Sequence, residues 1–277
     1  MGGPVASWNV IANRQDLLAA RISAYHFDPH LHDTYTVVMM RKGEAYFNIR
    51  GERHTAQPGD VFIIQPYEVH RGGNRDDMIH YDVLYPSSRL MADAAGVRYR
   101  QGRFPRFADA VFRSSSATDR LAENIESYFS ADPTNRSTSG METALQNVFR
   151  NRKSAPMLDP FPEKLGSAIH RACEMMQDHF NNPVELSKLA GEVGFSRYHF
   201  IRAFSNATGI APNVFLRQVR LSEAKNLIRG GLELADVAAR SGFSDQAHLT
   251  REFKKVFGIT PGKFARSMVR PNLAAAH

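Results

Sequence analysis

Leu234–Phe264 reads LADVAARSGFSDQAHLTREFKKVFGITPGKF. Leu234, Val237 and Ala238 recur at helical spacing. Gly242 follows where a left-handed residue ends a helix and turns the chain. Ser244 or Asp245 can cap the next helix by accepting from its free amides. In that second helix Leu249, Phe253 and Phe257 share the inward face, and Gln246, His248, Thr250, Arg251, Lys254 and Lys255 are left outside. Gly258 and Pro261 stop it. A short helix, a glycine turn and a second helix with a polar, basic outer face is what a helix–turn–helix needs to enter a major groove.

Working upstream, the stretch has a copy. Leu186–Phe215 reads LSKLAGEVGFSRYHFIRAFSNATGIAPNVF. Ala190, Gly194, Phe195 and Ser196 match Ala238, Gly242, Phe243 and Ser244 at an offset of 48. His199, Arg202, Phe204, Gly209, Pro212 and Phe215 match His248, Arg251, Phe253, Gly258, Pro261 and Phe264 at 49, so one extra residue enters at the start of the second outer helix. Repetition of turn, core and basic positions together is far harder to reach by chance than one motif. Between the copies, Asn213–Arg229 reads as one longer helix with Phe215, Leu216, Val219, Ala224, Leu227 and Ile228 inward, ended by Gly230-Gly231. Such a linking helix would hold two outer helices about 34 Å apart, one turn of DNA.

On these residues, and above all on GFSDQAHLTREFKKVFGITPGKFAR, the region from about Pro162 to Arg266 resembles the DNA-binding domain of the AraC/XylS family of bacterial transcription regulators. The first half supports the same resemblance. His30-Leu-His32 precedes a strand-like run, Tyr35–Met40, and PGDVFIIQPYEVH (Pro58–His70) closes a pattern similar to the cupin barrel of that family's effector domains. The resemblance implies an α+β chain of two domains. A cupin-like β-barrel with a helical hairpin spans residues 1–153, a linker 154–163, and an all-α domain with two helix–turn–helix motifs joined by a linking helix 164–270. It implies a sequence-specific, effector-responsive activator that binds promoter DNA as a homodimer and contacts RNA polymerase, with no enzymatic activity and no cofactor.

Composition agrees with that outline. The chain has 277 residues, 43% hydrophobic and 23% charged, which suits two globular domains rather than a disordered chain. No apolar run approaches the ~20 residues of a membrane helix, and MGGPVASWNVIANRQ lacks the basic-then-apolar pattern of a secretion signal. Cys173 is the only cysteine, which excludes an internal disulfide and a multi-cysteine zinc site, so the expected location is the cytoplasm. The net charge of +7 is uneven. Residues 1–164 hold 20 Lys and Arg against 19 Asp and Glu, whereas 165–277 hold 15 against 9. The excess sits where phosphates would be met.

The region to Tyr85 alternates short strands with glycine and proline turns, among them Ala45–Ile49, the Arg50-Gly51-Glu52 turn and Val61–Ile64, as a sandwich or small barrel does. Ser116–Ser130 and Gly140–Arg152 then carry apolar helical faces, Leu121, Ile125, Tyr128 and Phe129 on one and Met141, Leu145, Val148 and Phe149 on the other. Asp132-Pro133 separates them. These faces cover the barrel or, as the family implies, form a dimer interface, and the two are not exclusive. Asn151–Pro162, NRKSAPMLDPFP, has the prolines and weak periodicity of a linker.

Candidate DNA contacts are Arg197, Tyr198, Ile201 and Arg202 on the first outer helix and Asp245, Gln246, Thr250 and Arg251 on the second. Arginine suits a guanine edge or a phosphate, and glutamine an adenine. Lys254, Lys255 and Arg217 suit phosphate. His199 and His248, at matched positions, read as supports of the turn. Candidate effector contacts are His30, His32 and His70, with His80 and Asp82 one strand step apart on one face, and Tyr35, Tyr46 and Glu68. The three histidines have the look of a metal set. The carboxylate expected a few residues after His32 is absent, since Thr36 and Val37 stand there. Three histidines could still hold zinc, but they are assigned to lining an effector pocket or bonding each other, with no metal assigned. A cupin metalloenzyme with an accessory DNA-binding tail is the alternative. A DNA alkyl-repair protein would need a cysteine cluster that this chain lacks.

Overall fold

Strands rich in β-branched and aromatic residues dominate up to Phe112, and helices with apolar stripes dominate after it. The computed structural model describes residues 5–10, 17–49, 52–74, 76–98, 104–131, 139–150, 154–158 and 166–268. The Arg50-Gly51 turn, the Asp132-Pro133 break and residues 159–163 of the expected linker lie outside them. In order, the elements are β1 (Val5–Val10), β2 (Leu17–Ala24), β3 (His26–His30), β4 (Thr36–Lys42), β5 (Ala45–Ile49), β6 (Glu52–Ala56), β7 (Val61–Ile64), β8 (His70–Gly73), β9 (Ile79–Pro86), α1 (Ser88–Ala95), β10 (Phe104–Phe107), β11 (Val111–Phe112), α2 (Ser116–Ser130), α3 (Ser139–Phe149), β12 (Ser154–Leu158), α4 (Ser167–Asp178), α5 (Leu186–Glu192), α6 (Arg197–Thr208), α7 (Pro212–Arg229), α8 (Leu234–Arg240), α9 (Gln246–Phe257) and α10 (Pro261–Met268).

The strands form a six-stranded sheet, β1-β2-β9-β4-β7-β11, and a four-stranded sheet, β3-β8-β5-β6, antiparallel throughout. Apolar side chains of the two sheets, Leu18, Ile22, Val38, Phe62, Ile64 and Val83 from one and Phe47 and Ile49 from the other, meet in one core. The opposite face of the larger sheet, with Leu17, Ala19, Val37, Met39, Ile63 and Leu84, is covered by α1, α2 and α3. Leu121, Ile125, Tyr128, Met141, Leu145, Val148 and Phe149 are all buried there. The helical hairpin therefore spends its apolar faces on the barrel, and they are not left over as a dimer surface. A second departure is at 154–158. These residues, assigned from their prolines to a linker, form β12 and pair with β10 (Phe104 with Leu158, Phe107 with Ser154), adding an edge to the N-terminal domain. Pro156 falls where the β10–β12 register shifts, an irregularity that tolerates a proline.

The helical domain repeats itself as the sequence does. In the first unit α5, a turn through Gly194 and α6 are capped by Ser196, which accepts from the His199 amide at 3.4 Å. In the second, α8, Gly242 and α9 are capped by Asp245, which accepts from the His248 amide at 2.7 Å. The extra residue of the second copy is thus absorbed at the cap. Phe200, Phe204 and Phe215 centre one core and Leu249, Phe253 and Phe264 the other, with α7 between them. Arg220 on α7 donates to the carbonyls of Phe180 (2.8 Å) and Asn182 (3.0 Å), tying the segment after α4 to α7 close beside Gly242 of the second turn.

That tie makes the two turn glycines unequal. Both have positive φ, +82° at Gly194 and +79° at Gly242. A Cβ at Gly194 meets open space, whereas at Gly242 it would lie 2.9 Å from the Phe180 carbonyl oxygen. Gly194→Ala should cost about 1–2 kcal/mol from backbone strain alone. Gly242→Ala should cost more, because backbone must also shift. Thermal denaturation of both variants checks the order.

Candidate effector pocket and nucleic-acid interface

The alternation of β9 decides what the barrel interior contains. Ile79, Tyr81, Val83 and Tyr85 point between the sheets, where they line a cavity with Ile22, Phe27, Thr36, Val38, Phe47, Phe62, His30, His32 and His70. The cavity between these atoms measures about 80 Å³ and is partly open to solvent. The lining is mostly apolar. Thr36 offers a buried hydroxyl that lacks a hydrogen-bond partner. The far wall is not barrel at all: Val256 and Phe257 of α9 complete it.

The three histidines converge as expected from sequence. His30 lies opposite His70 in the β3–β8 ladder. Their rings sit 4.1 Å apart by centroid, and His32 is 4.9 Å from His30 and 5.1 Å from His70. Burial, with His30 beside them, holds His32 and His70 well below the ordinary imidazole range, so both are neutral.

The other effector candidates lie elsewhere. His80 and Asp82 do share a face, but it is the opposite one. His80 bonds Ser23 at 2.7 Å, and Asp82 pairs with Arg21 at 2.8 Å, an arginine that also holds Glu126 of α2. Side chains on a strand alternate, so taking β9 one residue out of phase moves the whole set. Both faces of β9 are covered, which removes the polar-out signal that would have given the phase. Tyr35 also faces the helices, donating to the Pro105 carbonyl. Tyr46 is exposed and bonds Glu44 at 2.5 Å. Glu68 closes its own turn, accepting from the Gln65 amide at 3.0 Å. Tyr81, Tyr85, Thr36 and the α9 pair were missed. Tyr81 and Tyr85 follow once the phase of β9 is known and Thr36 once that of β4 is, but the last two depend on how the domains dock.

Docking is firm at one point. Lys225, 2% exposed on α7, reaches Asp33 at 3.2 Å, the residue after His32. Burial alone would raise the Asp33 carboxyl, but the Lys225 charge and hydrogen bond, with help from Ser222, hold it below its usual value. The Lys225 ammonium also lies 5.5 Å over the Tyr85 ring and 5.9 Å over that of Phe257. It therefore touches the pocket wall, the linking helix and α9 together. Leu31, Tyr67 and Val69 pack into the first helical unit beside it.

On the outer helices, Arg197, Tyr198, Arg202, Gln246, Arg251, Lys254 and Lys255 are exposed. Tyr198 is 71% exposed, and the Arg202 guanidinium lies 5.7 Å over its ring. Thr250 is half-buried. Three candidates have other engagements. Ile201 packs against the first core. Arg217 pairs with Glu252 at 3.1 Å. Asp245 serves as the cap of α9. His199 and His248 stack edge-on against Phe195 and Phe243 at 4.7 and 5.3 Å, bracing each turn. If Lys254 and Lys255 meet phosphate, Lys254→Ala or Lys255→Ala should weaken specific and random DNA alike and flatten the salt dependence by about one unit of log–log slope. Titration of both duplexes at several salt concentrations checks this.

Comparison with known proteins agrees with both halves. Residues 14–146 match the model of an AraC-like ligand binding domain, and residues 189–267 that of a helix-turn-helix domain. The chain is 27% identical to the uncharacterised HTH-type transcriptional regulator YbfI of Bacillus subtilis, over 80% of this chain and 81% of that one. It is 23% identical to the HTH-type transcriptional activator RhaS of Escherichia coli O6:H1, over 90% and 91%. Structures of ToxT from Vibrio cholerae share the fold. One from strain O395 has a TM-score of 0.53 at 12% identity, over 92% of this chain and 99% of that one. An unsaturated fatty acid-bound form from strain SCE256 has a TM-score of 0.54 at 15% identity, over 94% and 99%.

Proposed function

The chain belongs to the AraC family of transcription regulators, whose members are not enzymes, and from that premise we propose that it is an effector-gated activator in which pocket occupancy is read directly by α9. The observation that carries this is the wall formed by Val256 and Phe257. They sit on the same helix as Gln246 and Arg251, one face towards the ligand space and the other towards solvent. A ligand that fills the cavity repositions or releases α9, and so changes how the second helix–turn–helix meets DNA. The first unit is held to the barrel mainly by Leu31, Tyr67 and Val69 and provides the fixed reference.

The lining selects the ligand class: a small, largely apolar molecule whose single polar group meets Thr36 and the three histidines. ToxT binds an unsaturated fatty acid, an apolar tail with one polar head, which supports the same class here. The activator RhaS supports activation, and with it contact with RNA polymerase. Self-association as a homodimer would use the polar outer edges of α2 and α3, such as Arg120, Asn124 and Asn147, since their apolar faces are buried. No helix among the described residues is long and apolar enough to cross a membrane, and the cytoplasm is the proposed location.

The test loads the pocket and reads DNA. A thermal-shift screen of the full chain against small apolar metabolites identifies a ligand by mass action. That ligand should change affinity for a duplex selected from a random library, and Phe257→Ala should weaken the coupling. A ligand that stabilises the chain through the pocket and leaves DNA affinity unchanged contradicts the proposal.

A further inference from the structure

A pocket for a largely apolar ligand has no need of three histidines packed ring to ring at one end. Hydrogen bonding among themselves would satisfy some of their nitrogens, but the geometry suits another use. One ligand nitrogen from each of His30, His32 and His70 can be chosen so that all lie within 4.8 Å of one another. A tetrahedral ion with bonds of 2.0–2.1 Å spaces its nitrogens roughly 3.3 Å apart, a closure within reach of modest ring rotations.

The surroundings prepare the rings for a metal. The His70 Nδ1 lies 3.0 Å from the Glu68 carbonyl oxygen. A carbonyl only accepts, so Nδ1 carries the hydrogen and Nε2 keeps its lone pair, which is the outer-shell arrangement that fixes a metal-binding imidazole. The ladder pairing of His30 with His70 comes from the backbone, and the segment after β3 that carries His32 is tied by the Tyr67 amide, which donates to the His32 carbonyl at 2.7 Å. Lys225, a fixed cation nearby, is neutralised by Asp33.

We infer that His30, His32 and His70 form a three-imidazole site for a zinc-class divalent cation, with its fourth position open to the apolar pocket. Such a site differs from an all-protein structural one, because the open position takes water or a Lewis-basic group of a ligand. Imidazole donors suit zinc, copper, nickel and iron, and exclude calcium and magnesium. The metal site stands on geometry alone. Only its meaning, that the ion holds the effector's polar head, rests on the effector-pocket reading.

The experiment uses the full, untagged chain and metal alone, so its failure leaves the effector reading intact. Co²⁺ is titrated first and followed by the visible band of a four-coordinate ion, then displaced with Zn²⁺. The expected result is one saturable site per chain, weakened at least about tenfold in His30→Ala and His70→Ala, given that even outer-shell losses cost 10–100-fold. His80→Ala, on the far face of β9, should bind as wild type does. Zinc-edge X-ray absorption of the loaded wild-type chain needs no variant and should show three imidazoles. No saturable binding, unaltered binding in both variants, or fewer than three imidazoles at zinc would each overturn the site.

Discussion

Lys225→Met is expected to destabilise the chain by about 3–5 kcal/mol, the cost of leaving a buried charge without its partner. Asp33 would keep its carboxylate at the domain junction without the Lys225 ammonium, and the contacts over Tyr85 and Phe257 would be lost with it. At 2–4 °C per kcal/mol for a chain somewhat smaller than this one, the melting temperature should fall by roughly 10 °C. The double variant Asp33→Asn, Lys225→Met should recover a large part of the loss, because it buries no charge and a buried pair contributes little net stability against neutral replacements. Calorimetry of wild type, both single variants and the double variant forms a complete cycle. A single-variant loss below about 1 kcal/mol would show that the pair is solvated in solution and that the domains are not clamped there.

Leu121→Asp should have a larger effect still and abolish folding of the N-terminal domain. Leu121 is wholly buried between α2, α3 and the outer face of the larger sheet, with Val37, Ile63, Leu145 and Phe149 as fellow members of one core. An aspartate there loses the leucine contacts and takes a carboxylate out of water with no partner. Were the α2 face a dimer interface, the same substitution would give a folded monomer. Circular dichroism and size exclusion separate the outcomes: loss of the β signal agrees with this structure, and a folded monomer contradicts it.

The second half of the chain was the more legible because its signals are local. Gly194 and Gly242, the caps Ser196 and Asp245, and the phenylalanines at helical spacing each state their own role within a dozen residues. The histidine triad was legible for a similar reason, two members lying two residues apart at the end of β3 and just beyond it. What the sequence hid depends on facing. β9 is covered on both sides, so nothing in Ile79–Pro86 distinguishes His80 and Asp82 from Tyr81 and Tyr85. Lys225 reads as a solvated charge at helical spacing with Gln218 and Ser222, yet all three are buried. Only the docked barrel reveals that face of α7, and the same docking places Val256 and Phe257 in the pocket.

We propose that the two matched outer helices read DNA, the second while also closing the pocket. The most direct test is binding of wild type, Arg202→Ala and Arg251→Ala to a randomised duplex library at two salt concentrations. Each variant should lose ~1–3 kcal/mol on the wild-type site and relax preference at one base pair. The two relaxed positions should lie about one helical turn apart. An Arg251→Ala chain that keeps its full base preference and loses only overall affinity would show that this arginine grips phosphate, and the matched-helix reading would fail at its second site.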